Sequence, residues 1–270
     1  MKIKLLLPLF GLLLLGSCAE EETPAPVPEP EPTDFCYLQE QSTISKTDTS
    51  TVTYRYDAQN RVIGTTHLEN NTMVASRTYE YDSNGRLIRE TLFGPEAEEI
   101  NYILFSYSAD GRLSKYEVLQ PLSIGTIHKV GAFKATYNPN GSLASTTSYY
   151  YQDNQLKQEQ SARFSYPRDS TLSVTVTFRD SERNYTGSYV MDKSRAPLSA
   201  VPAFHIRQPQ LGYPGRNNLL SLAAKRGEED AKAVSFKTEY TYNGRGYPTK
   251  AVKTFGDGTV ATTTYSYDCL

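Results

Sequence analysis

The chain has 270 residues, with 28 Lys and Arg against 30 Asp and Glu for a net charge of −2 at pH 7; it is 38% hydrophobic and holds 21 tyrosines and no tryptophan. Near-neutral charge without a basic stripe leaves no electrostatic footprint for nucleic acid, so no nucleic-acid partner is expected. Once any leader is set aside, the length suits one large all-β domain or two small ones.

In chain order the first elements concern address rather than fold. Lys2 and Lys4 precede an apolar run, Leu5 to Leu15, which is too short for the roughly 20 residues that a spanning helix needs. It reads as the core of a signal peptide over residues 1–17. The following LGSC resembles a bacterial lipobox, which implies that Cys18 carries a lipid and anchors the chain to a membrane; the alternative is an ordinary signal peptide with a chance cysteine. Residues 18–34 carry prolines at 24, 26, 28, 30 and 32 among acidic residues. Alternating prolines favour an extended, semi-rigid spacer. Acidic residues just after a lipid cysteine resemble the surface-export signal of Bacteroidetes lipoproteins, which implies an outer-membrane anchor with the domain facing the cell exterior.

Residues 35–270 read as a single β domain. In TVTYRYD, Val52, Tyr54 and Tyr56 share one face, and Thr51, Thr53 and Arg55 the other. TLSVTVTFR alternates Leu172, Val174, Val176 and Phe178 with Ser173, Thr175, Thr177 and Arg179. Period-two alternation rich in Tyr, Val, Thr and Phe marks strands. Each Tyr-x-Tyr phrase then meets a tight-turn sequence such as Asp-Ser-Asn-Gly before a second strand opens at Arg-Leu. Arg61, Arg86 and Arg112 recur about every 25 residues, the length of two strands and two connections. The pattern predicts a large antiparallel up-and-down meander, strongly curved or barrel-like, with the Asx-Gly turns along one rim and longer, less regular connections (LENNTMVA, FGPEAEEI) along the other. Tyrosines at equivalent strand positions are expected to form cross-strand ladders with their hydroxyls reaching water.

Between Lys193 and Arg216 the prolines at 197, 202, 209 and 214 break the alternation, so a long loop is expected to cross one mouth or face of the sheet. Arg207, Tyr213 and Arg216 are its candidate binding residues, set against simple packing of the loop on the sheet. NNLLSLAAKR over 217–226 reads as a short helix, with Asn217 or Asn218 as N-cap and Gly227 at its end.

Chemistry-bearing patterns are few. His67, His128 and His205 have no metal-ligand spacing, and no catalytic elbow or phosphate loop is present. Asp82-Ser83-Asn84-Gly85 lacks the later bidentate Glu of a calcium loop and reads as a hairpin turn. Glu96, Glu98 and Glu99 are the one candidate carboxylate cluster for glycoside hydrolysis, weighed against ordinary solvated acids. No catalytic residue, metal or cofactor is expected. Cys36 and Cys269, one near each end of the domain, read as a disulfide in an oxidising compartment, against two unpaired thiols. A flat meander of ten or so strands would hold its ends roughly 45 Å apart, so a bridge implies a closed or curled sheet.

The phrase Y-x-Y-D-x-x-G-R-L is similar to the YD repeat of Rhs-type proteins, which winds into a β-shell. The lipobox, the hairpin phrases, YVMDKSRAP, NGRGYPTK and the terminal YSYDC together resemble a family of Bacteroidetes lipoproteins of unknown function with a porin-like fold. That resemblance implies a large curved antiparallel sheet and no established activity. The expected role is a non-enzymatic, lipid-anchored envelope protein binding a glycan or an envelope protein. The alternatives are a membrane-embedded β-barrel and a polysaccharide-acting enzyme.

Overall fold

A computed structural model of the chain describes residues 35–123, 126–153, 155–168, 170–201, 217–227 and 229–270. The signal segment, the tether and Cys18 lie outside the described residues, as do His205, Arg207, Tyr213 and Arg216. Asp34–Leu270 cluster as one compact unit.

Seventeen strands form one antiparallel sheet. They are β1 (Cys36–Ser45), β2 (Asp48–Tyr56), β3 (Val62–Glu69), β4 (Thr72–Tyr81), β5 (Leu87–Phe93), β6 (Glu99–Tyr107), β7 (Leu113–Ser123), β8 (Thr126–Tyr137) and β9 (Leu143–Gln152). There follow β10 (Gln155–Arg168), β11 (Thr171–Phe178), β12 (Tyr185–Met191), β13 (Leu219–Arg226), β14 (Glu229–Asp230), β15 (Phe236–Tyr242), β16 (Pro248–Phe255) and β17 (Val260–Cys269). Apart from the two-residue β14, each strand pairs with its sequence neighbours, and β1 pairs with both β2 and β17, so the meander closes on itself. The two-residue β14 pairs with β13, which also pairs directly with β15; the wall is therefore a closed 16-strand up-and-down barrel.

Closure gives the sheet an inside. Residues opposite one another across an antiparallel pair project to the same face. Followed around the ring, Val52, Thr65, Arg77, Leu92, Ile103, Val118, Val174, Leu222 and Ala251 fall on one face. That face is the covered one. Val62, Leu87, Leu113 and Phe133 form one buried cluster with Tyr79, Phe105 and Tyr116. Leu172, Val174, Val176, Tyr189 and Leu222 belong to a second. The opposite face carries Thr51, Thr53, Thr175, Thr177, Lys237, Glu239, Thr262 and Thr264.

The rims divide as the repeat predicts. Connections after β2, β4, β6, β8 and β15 are the Asx turns, and all sit on one rim with the β12–β13 connection. In the Asp82 turn the backbone N–H of Asp82 donates to the carbonyl of Arg86 (2.9 Å) and that of Gly85 to Asp82 (3.0 Å). Gly85 has φ 74°, a left-handed value that Asn60 also adopts in the equivalent turn without glycine (φ 58°). The opposite rim differs from expectation. LENNTMVA is not a long irregular connection: β3 and β4 run up to a two-residue turn at Asn70 and Asn71, both at positive φ (47° and 66°). These strand ends have the polar composition of a loop because, outside the covered clusters, nothing requires them to be apolar.

The expected helix over 217–226 is a strand. β13 buries Leu222 and Ala224 and exposes Ala223 and Lys225, a period of two. Leu, Ala and Lys favour helix in isolation, but here a strand position is open between β12 and β15, and pairing with Tyr189 and Phe236 overrides propensity. Asn217 and Asn218 are not an N-cap; both side chains tie down the preceding loop.

Candidate functional site

The Tyr-x-Tyr phrase is a structural device, and its geometry differs from a simple ladder. One tyrosine of each phrase donates its hydroxyl to a carbonyl near the start of a preceding strand; in EYTYNGRG it is Tyr240, on Leu219 O (3.3 Å), while Tyr242 donates to Asp192. Tyr56 reaches Leu38 O (2.7 Å), Tyr81 reaches Val62 O (2.7 Å), and Tyr107 reaches Leu87 O (2.6 Å). Tyr137, Tyr166 and Tyr267 do the same to Leu113, Leu143 and Pro248. Next to these tyrosines the register slips by one residue, at Arg55/Tyr56, Glu80/Tyr81, Ser106/Tyr107, Thr136/Tyr137 and Thr241/Tyr242. The bulge lets the ring lean across its neighbour.

Turn residues complete each clasp. Asp82 Oδ1 accepts the backbone N–H groups of Asn84 and Arg86 (2.9 Å each), and Oδ2 accepts Arg86 Nε (2.7 Å). The guanidinium of Arg86 then lies 5.2 Å from the ring of Tyr107; Arg61 sits likewise over Tyr81 and Arg112 over Tyr137. Hydrogen bonds from the Arg86 backbone and side chain hold the Asp82 carboxyl below its ordinary range. This carboxylate is spent on its own turn, as a hairpin requires. Burial pushes the Tyr107 hydroxyl up to about 12.

One polar centre of this rim was not legible as such. Asp192, just after β12, accepts the backbone N–H groups of Ser194 and Asn218, the amide of Asn218 and the hydroxyl of Tyr242. The backbone N–H of Arg195 donates to the carbonyl of Gly246 (3.1 Å), and the Arg195 guanidinium lies 5.4 Å from the buried ring of Tyr247. From there the chain runs inward: Ala196 and Val201 are buried, and Leu198 and Val201 pack on the Val62–Phe133 cluster. The described part of the long loop thus covers the Asx-turn end of the barrel.

Of the other sequence candidates, His67 Nε2 shares a hydrogen bond with Ser50 Oγ (2.9 Å), and His128 lies on exposed β8. Glu98 folds back on the backbone N–H of Glu96 (3.0 Å), and Glu99 lies 3.5 Å from Arg89. Among the described residues no group of three or more His, Cys, Asp or Glu could hold a metal ion. Cys36 and Cys269 face each other across β1 and β17 and form a disulfide, with Cα atoms 4.0 Å apart.

A pocket of about 750 Å³ lies where β13 parts from β15. These two strands pair only at Ser221–Lys237 and Leu222–Phe236 before residues 229–235 intervene. Val174, Gly187, Leu222, Ala224, Phe236 and Phe255 line it. Gly187 lets Leu222 pack against it: a Cβ there would lie 2.7 Å from Leu222 Cδ1. No sequence motif marks this site, since its lining comes from six strands.

No protein-family profile matches the chain, and no curated protein matches it in sequence. Solved structures do match the fold. A porin-like protein from Bacteroides uniformis is 15% identical with a TM-score of 0.58, over 86% of this chain and 96% of its own. A porin-like protein from Bacteroides vulgatus is 11% identical with a TM-score of 0.53, over 87% of this chain and all of its own (100%). At these identities the likeness is one of fold: a porin-like antiparallel barrel.

Proposed function

We propose that the protein is a non-enzymatic, lipid-anchored component of the cell envelope, whose barrel stands in water on the 18–34 tether instead of spanning the bilayer. The supporting observation is the polarity of the outward face. A membrane barrel needs an apolar outer band about 25 Å tall. Here exposed outward aliphatics pair across the sheet with polar residues: Leu104 between Arg89 and Glu117, Ile44 between Thr49 and Thr262, Val190 between Thr171 and Ser221. Apolar inside and hydroxyl-rich outside is the reverse of a porin wall. The envelope location rests on the lipobox at Cys18 and on the porin-like neighbours.

Its partner in this reading is a glycan or a neighbouring envelope protein. The second reading gains from two features. The tyrosine hydroxyls bind main-chain carbonyls, so those rings are less free to form a sugar platform. In addition, the β7–β8 hairpin exposes Leu122 and Ile127 at 56% and 55%. Metabolic labelling with an alkyne fatty acid tests the anchor: label is expected on the wild type and not on Cys18→Ser, which should move to the soluble fraction. Residues 34–270 that dissolve only in detergent would overturn the water-standing barrel.

A further inference from the structure

Strands β7 to β10 carry an uneven charge. Their cations are Lys115, Lys129, Lys134, Lys157, Arg163 and Arg168, and their carboxylates are Glu117 and Glu159. Six against two leaves +4 on these strands, in a chain whose total is −2. Register sets three of the cations on the outward face. Lys115, Lys134, Thr147, Ser161 and Thr177 stand opposite one another in one row across β7 to β11. The next row toward the Asx-turn rim holds Thr136, Ser145, Arg163 and Thr175. Lys115 and Lys134 are direct register partners, and like charges directly opposite cost stability. Lys115, Lys134 and Arg163 are exposed, and among the described residues none of them has a carboxylate within 4 Å. Glu117, the next outward residue on β7, is held by Lys129 at 3.0 Å.

Hydroxyls fill the space between these cations. Thr136 Oγ1 lies 2.7 Å from Ser145 Oγ, and Ser161 Oγ lies 2.9 Å from Thr177 Oγ1. Tyr149, on β9 beside them, has the Lys134 ammonium 5.6 Å from its ring centre and is not one of the clasp tyrosines. Neither row holds an aliphatic side chain. A bilayer needs an apolar band and a protein partner an apolar or aromatic anchor, so both fit these rows poorly. A flat, cationic, hydroxyl-lined face instead suits a polyol that carries anions, since charge-assisted hydrogen bonds are the strong ones. Strand spacing and rise put Lys134 and Arg163 about 12 Å apart, so one extended chain can meet both.

We propose that the outward face of β7–β10 binds an acidic polysaccharide, its anionic groups on Lys115, Lys134 and Arg163 and its hydroxyls on the Ser and Thr rows. This names the chemistry of the glycan in the envelope reading above and rests on that reading. The experiment titrates residues 34–270, the compact unit, with polygalacturonate and with dextran sulfate in detergent-free buffer. Saturable binding is expected to at least one, and the better of the two identifies the anionic group. Methyl-esterified polygalacturonate, dextran and polyglutamate should each bind at least tenfold less tightly; the last keeps the charge and lacks the sugar hydroxyls. Lys115→Ser/Lys134→Ser/Arg163→Ser should weaken binding at least tenfold without lowering the melting temperature. Lys46→Ser/Lys237→Ser/Lys250→Ser, an equal loss of charge on other strands, should stay within twofold of the wild type. No binding to either acidic polymer, equal binding of an uncharged polymer or of polyglutamate, or equal losses in the two triple variants would each overturn the proposal. A protein that dissolves only in detergent fails earlier and counts against the water-standing barrel, so the two failures are distinct.

Discussion

A single hydroxyl shows how the repeat works. Tyr107 spans from β6 to Leu87 O on β5, and its ring carries the Arg86 guanidinium. A neutral intramolecular hydrogen bond is worth about 1 kcal/mol. Tyr107→Phe should therefore lower stability by about that amount in urea unfolding, with an unchanged m-value. The same residue makes a pH prediction. Burial raises its folded value to about 12 from an ordinary value near 10. A raised value means that the folded state keeps its proton longer, so the contribution is complete below pH 10 and is lost as pH climbs from 10 to 12. Tyr56, Tyr189, Tyr265 and Tyr267 are raised for the same first cause, burial. The melting temperature should fall steeply across pH 10–12, and tyrosinate absorbance should lag behind that of the urea-unfolded chain. Coincident titration curves would refute the clasp. Asp192 is the other residue to test. Removing it leaves four donors short of their acceptor, so Asp192→Ala should cost about 3 kcal/mol. Trypsin should then cut faster at Lys193 and Arg195.

At the level of one strand, β11 separates the two faces. Val176 is 2% exposed and packs in the second cluster, while Thr175 faces outward. A lysine in place of Val176 puts an unpaired ammonium among Ala162, Leu172 and Tyr189, whereas one at 175 stays in water. Val176→Lys should lose more than about 3 kcal/mol or fail to fold, and Thr175→Lys should stay within about 0.5 kcal/mol. Comparable losses at both sites would mean that the wall is covered on both faces. β13 teaches the complementary lesson. Its Leu-Ala-Lys composition points to helix, and only a vacant place between two existing strands makes it a strand.

Across the whole molecule, closure is the central property. β1 and β17 pair along their length, Thr43 Oγ1 meets Thr263 Oγ1 at 2.8 Å, and the disulfide locks the end of that seam. A bridge spanning 233 positions restricts the unfolded chain severely, worth about 5 kcal/mol by loop-closure entropy. The folded seam keeps its hydrogen bonds without it. Cys36→Ser/Cys269→Ser should accordingly lower the urea midpoint substantially while leaving the far-ultraviolet spectrum unchanged; a change in strand content would show that the bridge, not the pairing, closes the barrel.

The hairpins, their turns, the turn rim and the Cys36–Cys269 pairing were legible in the sequence because each rests on a simple signal: period two, Asx and glycine at fixed offsets, one pair of cysteines near the two ends of the domain. Closure was legible only through that cysteine pair, as a closed or curled sheet; the strand pattern alone reads the same whether the ends of the meander meet or part. The destination of the tyrosine hydroxyls was equally hidden, because a carbonyl about 20 residues back comes within reach only when two hairpins lie side by side. Asp192, which the sequence presents only within YVMDKSRAP, gains its role when Asn218 and Tyr242, 26 and 50 positions away, are brought to it. The pocket arises from six strands that leave a gap where β13 and β15 share only two pairs. Local chemistry determined the modules; their packing around a ring decided which face is inside, what the tyrosines hold, and where a ligand has room.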